Sequence, residues 1–128
     1  MIEIISKLEP IEYEAKQTIF DELEEVNEIV FLIDVAFQVG FTINNKKYFR
    51  MEIKNKGIGV FYCTFNKKST YVFRTKQACE VAYFVRKKNW SKIINSEDTA
   101  ELCGIIKQKI KKKYVSMFET NLNILKNQ

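Results

Sequence analysis

The chain has 128 residues, of which 46% are apolar and 29% charged, a composition typical of a single folded domain with its own hydrophobic core. Its longest apolar run, residues 29–37, is too short to span a bilayer, and the chain opens without a secretory signal, so a cytoplasmic location is expected. With no histidine and no closely spaced cysteine pair, neither a zinc site nor a general base working near neutral pH is expected. Cys63, Cys79 and Cys103 are therefore expected to be buried free thiols.

Charge is distributed unevenly along the chain. Residues 1–34 contain ten acidic residues and two lysines, a net charge of −8, so residues 35–128 carry +13 of the total of +5. Such asymmetry predicts two oppositely charged surfaces that attract each other or a partner.

The N-terminal two thirds of the chain read as one short helix followed by strands. Ile2 and Ile5 lie at helical spacing before Pro10, which predicts a helix over residues 1–9. Residues 11–86 then alternate short β-branched and aromatic segments with turn-forming residues. The predicted strands are residues 28–33, 37–43, 48–53, 58–62, 69–74 and 80–85. Because loops this short join antiparallel neighbours, a sandwich or roll is expected.

The pattern becomes helical after Arg86. Trp90, Ile93 and Ile94 predict a short amphipathic helix over residues 88–95, and Ser96 provides an N-cap for a second helix over residues 96–125. An apolar stripe runs along this second helix and is expected to dock on the roll and on a partner. It consists of Leu102, Ile106, Ile110, Tyr114 and Phe118.

Several sequence segments, taken in order, resemble cyclic-nucleotide-binding domains. They are LEPIEY at 8–13, TIFDE at 18–22, EIVFLI at 28–33, FQVGFTIN at 37–44, IGVFYCTFNKKS at 58–69 and FVRKKNW at 84–90. The last two are similar to the domain that follows the pore in ciliate cation channels. The resemblance implies a mainly β fold with flanking helices, an antiparallel β-roll of the jelly-roll type, in one domain over residues 1–128. It also implies that 18–22 and 28–33 form the first hairpin.

The resemblance also locates a nucleotide pocket and shows where this chain departs from it. In ligand-binding members, a loop between two roll strands holds the cyclic phosphate, an arginine pairs with the phosphate, and a glutamate after a glycine binds the ribose. Here Val60 follows Gly59, and Lys68 or Ser69 stands at the arginine position. Lysine cannot make the planar bidentate contact of arginine. The sequence therefore predicts a degenerate pocket at these four residues.

Three aromatic residues in the same segment leave two interpretations open. Phe61, Tyr62 and Phe65 either fill the pocket with their rings or belong to the ordinary core. Residues 107–113 are rich in lysine, but their spacing predicts a solvated amphipathic helix, so no nucleic-acid partner is expected.

The resulting hypothesis is a non-catalytic regulatory or assembly domain of a cation-channel-like protein that does not bind cyclic nucleotide and has no cofactor. Its expected partners are other subunits or the rest of a channel, with homo-oligomers possible and membranes reached only through a tether. One alternative is a working sensor of cyclic AMP, cyclic GMP or another small anion. The other alternative is a stand-alone structural subunit of a larger complex.

Overall fold

The computed structural model describes residues 6–54 and 56–120. Eight strands in this part of the chain form two four-stranded sheets, and every pairing is antiparallel. The first sheet has the order β1-β8-β3-β6 and the second β2-β7-β4-β5. The strands are β1 Glu9–Tyr13, β2 Thr18–Phe20, β3 Glu28–Leu32, β4 Phe37–Ile43, β5 Lys46–Ile53, β6 Gly57–Ile58, β7 Val72–Thr75 and β8 Cys79–Arg86.

Helices accompany the strands in the described part of the chain. Helix α1, Val60–Phe65, lies between β6 and β7, and helix α2, Lys87–Ile94, follows β8 directly. A 3₁₀ turn at Glu97–Thr99 leads into α3, Ala100–Tyr114, which continues as a π-helical segment, Val115–Thr120. We call α3 together with this segment the closing helix. The predicted antiparallel β-roll with accompanying helices is confirmed.

The core lies between the two sheets and follows the predicted alternation. On β4, Phe37, Val39 and Phe41 are at most 3% exposed. Ile43 shares their face in the sequence pattern but is 36% exposed, because it lies at the strand end. The next two residues, Asn44 and Asn45, have φ values of 51° and 64° and turn the chain directly into β5.

The predicted strand over residues 58–62 is wrong beyond Ile58. Gly59 has a φ of 93°, which ends β6, and the chain then forms α1. This helix is rich in aromatic and β-branched residues, a composition that is typical of a strand. Burial of Tyr62, Cys63 and Thr64 makes the helix stable in its tertiary context.

The two segments expected to form the first hairpin lie in different sheets. Strand β2 pairs with β7, whereas β3 pairs with β6 and β8. The hairpin interpretation is therefore wrong, because the chain crosses from one sheet to the other between β2 and β3.

The ends of the chain also differ from the expected boundaries. Strand β1 begins at Glu9 and includes Pro10, which an edge strand tolerates; residues 1–5 of the expected N-terminal helix lie outside the described residues. Ser96 precedes the 3₁₀ turn but makes no side-chain capping hydrogen bond. Residues 121–125 of the expected final helix also lie outside the described residues.

Ion pairs join the acidic N-terminal segment to the basic remainder. Arg86 donates hydrogen bonds to both carboxylate oxygens of Glu9, at 2.7 and 3.3 Å, and Lys47 lies 3.2 Å from Asp21. Both pairs are solvent-exposed, so each contributes little to stability. No helix in the described part of the chain is long and apolar enough to cross a membrane.

Candidate functional site: a cleft beneath the closing helix

The segment between β6 and β7 begins at a position that only glycine fits. A Cβ atom on Gly59 would lie 2.7 Å from the carbonyl oxygen of Glu28 and 3.1 Å from the ring of Phe20. The positive φ adds a conformational penalty for any L side chain. The glycine therefore brings α1 tightly against the first sheet.

Helix α1 is fixed from the other side by α2. The indole Nε1 of Trp90 donates a 2.9 Å hydrogen bond to Thr64 Oγ1, which in turn donates to the Val60 carbonyl at 2.6 Å. Asn66 ends the helix in the left-handed conformation, with its backbone N–H bonded to the Tyr62 carbonyl. Two buried side chains and a backbone cap thus hold a helix of six residues in one position.

Cys63 on the same helix is 1% exposed, and its thiol lies 3.6 Å from the Val26 carbonyl. Burial raises the pKa of this thiol to about 12. Cys63, Cys79 and Cys103 are all buried free thiols in the structure, as the sequence predicted.

A cleft of about 320 Å³ lies between α1, strand β6, the second sheet and the closing helix. Most of its wall is apolar. Its lining residues are Ile53, Lys56, Gly57, Ile58, Gly59, Val60, Phe61, Tyr62, Phe73, Ile110, Lys113, Tyr114, Met117 and Phe118. The volume is at the lower end of the range for small-molecule sites.

The closing helix reaches α1 through Tyr114. The hydroxyls of Tyr114 and Tyr62 are 2.9 Å apart and hydrogen-bonded, and the Tyr114 ring lies edge-on to Phe61 with centroids 3.9 Å apart. Burial, with further contributions from Tyr114, raises the pKa of Tyr62, so its phenol stays protonated. The contact is therefore a neutral hydrogen bond inside an aromatic cluster.

Phe118 extends this cluster into the second sheet. Its ring centroid lies 5.9 Å from Tyr71, 5.8 Å from Phe73 and 5.1 Å from Tyr114. Tyr114 and Phe118 are only 6% and 8% exposed, so the end of the closing helix belongs to the core of the roll.

Two of the four predicted pocket residues line the cleft and two do not. Gly59 and Val60 form part of its wall. Lys68 is exposed in the turn after α1, where it forms an isolated β-bridge with Glu25. Ser69 is fully buried, and its hydroxyl donates to the Tyr71 carbonyl at 2.7 Å. Neither Lys68 nor Ser69 is among the described residues that line the cleft.

The predicted apolar stripe divides between two environments. Tyr114 and Phe118 are buried, and Ile106 and Ile110 pack partly against the same core. Leu102, by contrast, is 57% exposed. Most of the stripe therefore packs against the chain's own roll, because the closing helix lies along the roll. Only the beginning of the stripe faces outward.

Lys56 and Lys113 were not predicted as site residues, yet both line the cleft. The sequence offered a weak signal for Lys113 only, since it directly precedes Tyr114 of the apolar stripe. Lys56 lies in a predicted turn, and nothing in its local sequence indicated that it approaches the closing helix. Among the residues that the structure describes, no group of three or more acidic or cysteine side chains is placed to hold a metal ion.

A double-mutant cycle measures the contact between α1 and the closing helix. Tyr62→Phe and Tyr114→Phe each remove one hydroxyl from the 2.9 Å hydrogen bond, so we expect a coupling free energy of about 1 kcal/mol in urea-induced unfolding. Tyr83→Phe, on the exposed side of β8, is the matched control and should not couple to Tyr114→Phe. Zero coupling between the two core tyrosines contradicts the contact.

No family model matches the chain, and no curated protein matches its sequence. Solved structures do share its fold. A substituted regulatory subunit of a cAMP-independent protein kinase A from Trypanosoma brucei, bound to cAMP in its A site, has a TM-score of 0.69 and 12% identity over 98% of this chain and 43% of that chain. A putative cyclic nucleotide binding protein from Ruegeria pomeroyi has a TM-score of 0.69 and 11% identity over 91% and 53% of the two chains.

A third structure, PKAR CBD2 bound to Sp-2Cl-cAMPS, has a TM-score of 0.68 and 20% identity over 95% of this chain and 74% of that chain. The chain spans about half the length of the Ruegeria protein and 34% of a matched regulatory-domain chain of Toxoplasma gondii protein kinase A. At these identities the likeness establishes the fold, the β-roll of cyclic-nucleotide-binding domains.

Proposed function

We propose that this chain is a non-catalytic regulatory and assembly domain of a cation-channel-like protein, in which the chain's own side chains hold the closing helix against the roll. The observation that carries the proposal is the aromatic cluster in which Tyr114 and Phe118 pack on α1 and the second sheet. In the resembled channels the final helix couples ligand occupancy to the gate. A helix anchored by two buried rings and a buried hydrogen bond favours one fixed position.

The polar groups near the cleft argue against tight binding of cyclic nucleotide. A ribose hydroxyl needs an acceptor after Gly59, and Val60 provides none there. At the position expected to hold the cyclic phosphate, Lys68 is exposed in the turn after α1 and the Ser69 hydroxyl donates to the Tyr71 carbonyl. The ribose hydroxyl of a cyclic nucleotide would therefore be buried without its acceptor, which costs free energy.

The channel context rests on the sequence resemblance of residues 58–69 and 84–90, together with an outward apolar surface. Leu102 and Ile105 on α3 are 57% and 51% exposed. Neighbouring subunits or the rest of the channel are the partners that would cover them.

Thermal unfolding with cyclic AMP or cyclic GMP at millimolar concentration tests the proposal. We expect no rise in melting temperature with either nucleotide. A ligand at a hundredfold excess over its Kd would stabilise the folded state by about 2.7 kcal/mol, a shift of several degrees for a domain of this size. A rise that Lys68→Ala abolishes would show a working phosphate site, and a domain with an intact pocket serves as the positive control.

A second candidate function, a sensor of another small anion, is favoured by one observation. Lys56 and Lys113 place two positive charges on the wall of an otherwise largely apolar cleft. Neither lysine matches the residues that the resemblance assigns to the cyclic phosphate, so we infer a ligand of a different chemical class.

A further inference from the structure

Lys56 and Lys113 reach the cleft from two separate parts of the fold. Lys56 directly precedes β6 in the roll, and Lys113 lies in the last turn of α3. Their amino groups are close enough for the charge of Lys113 to lower the pKa of Lys56. Neither lysine is in an ion pair with a carboxylate among the residues that the structure describes. Two like charges therefore face each other across the junction of roll and closing helix.

The wall beside these lysines is apolar and adaptable. Ile53 and Ile58 contribute from the roll, and Ile110 and Met117 from the closing helix. Methionine and isoleucine side chains gain from covering apolar surface, and methionine adjusts readily to different shapes. A ligand that complements both features has a negative headgroup and an apolar body.

We propose that the cleft binds a small amphipathic anion, with a carboxylate or phosphate headgroup between Lys56 and Lys113 and an apolar chain or ring along Ile53, Ile110 and Met117. The headgroup would accept hydrogen bonds from a lysine of the roll and a lysine of the closing helix at once. A bound anion attracts both ammonium groups and so offsets the repulsion between them. Occupancy thereby strengthens the attachment of the closing helix to the roll. This inference does not depend on the absence of cyclic-nucleotide binding.

Isothermal titration calorimetry of the full chain with decanoate, below its micelle concentration, tests the proposal. We expect saturable binding of one decanoate per chain. Decanol has the same chain without charge, and acetate has the headgroup without the chain, so both should bind roughly tenfold more weakly or worse. Decyl phosphate is titrated in parallel, and the tighter of the two anions identifies the headgroup that the lysines prefer.

Lysine variants separate this site from general attraction to a basic surface. Lys56→Gln and Lys113→Gln should each weaken binding about tenfold or more, because each removes a charge-assisted hydrogen bond. Lys112→Gln is the matched control, since Lys112 is the chain neighbour of Lys113 but lies outside the residues that line the cleft. All three lysines are exposed, so the variants should fold normally.

The proposal is overturned if neither decanoate nor decyl phosphate binds saturably. It is also overturned if the double variant Lys56→Gln with Lys113→Gln binds as tightly as the unmodified chain, or if Lys112→Gln weakens binding as much as Lys113→Gln does. A failure of either kind leaves the nucleotide experiment unaffected, because that experiment uses a different ligand and Lys68, which is not among the residues that line the cleft.

Discussion

Gly59→Ala is expected to lower the free energy of unfolding by about 2–4 kcal/mol. The left-handed conformation at this position costs an alanine about 1–2 kcal/mol. The added methyl would also lie 2.7 Å from the Glu28 carbonyl oxygen, a backbone atom that moves only with β3. Urea-induced unfolding followed by circular dichroism measures the difference.

Gly104→Ala provides a control of opposite sign. Gly104 is exposed in the middle of α3, and a Cβ atom there meets nothing within 4 Å. Alanine in a helix interior should raise the free energy of unfolding by about 0.5–1 kcal/mol. If both substitutions stabilise the chain, the tight approach of Gly59 to β3 is incorrect.

Alkaline conditions should destabilise the protein through Cys63. Its pKa rises from an ordinary value of 9.0 to about 12 because the thiol is buried, so the folded state retains a proton that the unfolded state loses. Below pH 9 the ionisation of Cys63 does not reduce the free energy of unfolding. As the pH rises from 9 to 12, it lowers that free energy progressively. At pH 11 the loss from this one thiol should reach about 2–3 kcal/mol.

Cys63→Ala isolates this contribution. The variant should be less stable at pH 7, because it leaves a small cavity, but its stability should fall less steeply between pH 9 and 11. Burial also raises the pKa of Tyr13, to about 12, and that of Tyr62, so both proteins keep an alkaline dependence from these two phenols. Identical pH profiles for the two proteins would refute the assignment to Cys63.

The roll was predictable because its signals are local. Phe37, Val39 and Phe41 occupy alternate positions, so the two-residue period of a strand is enough to identify the buried face of β4. Asn44 and Asn45 mark the turn because asparagine tolerates positive φ. These features depend on neighbouring residues, so they are readable without the fold.

The site was less predictable because it depends on contacts between distant segments. Helix α1 has the composition of a strand, and only its burial between the sheets and α2 makes it helical. Lys56 and Lys113 are separated by more than fifty positions, and each by itself resembles an ordinary surface lysine. The sequence located Gly59 and Val60 through their family resemblance, but it placed the positive charge at Lys68, which lies in the turn outside the cleft.

Trp90 gives the protein its own optical probe of α1. It is the only tryptophan in the chain, it is 9% exposed, and its indole N–H is bonded to Thr64 on α1. Indole emission responds to hydrogen bonding and to contact with water. A displacement of α1 from α2 would therefore change the emission maximum without any attached dye. The segment beneath the cleft can be followed in real time by the fluorescence of one native side chain.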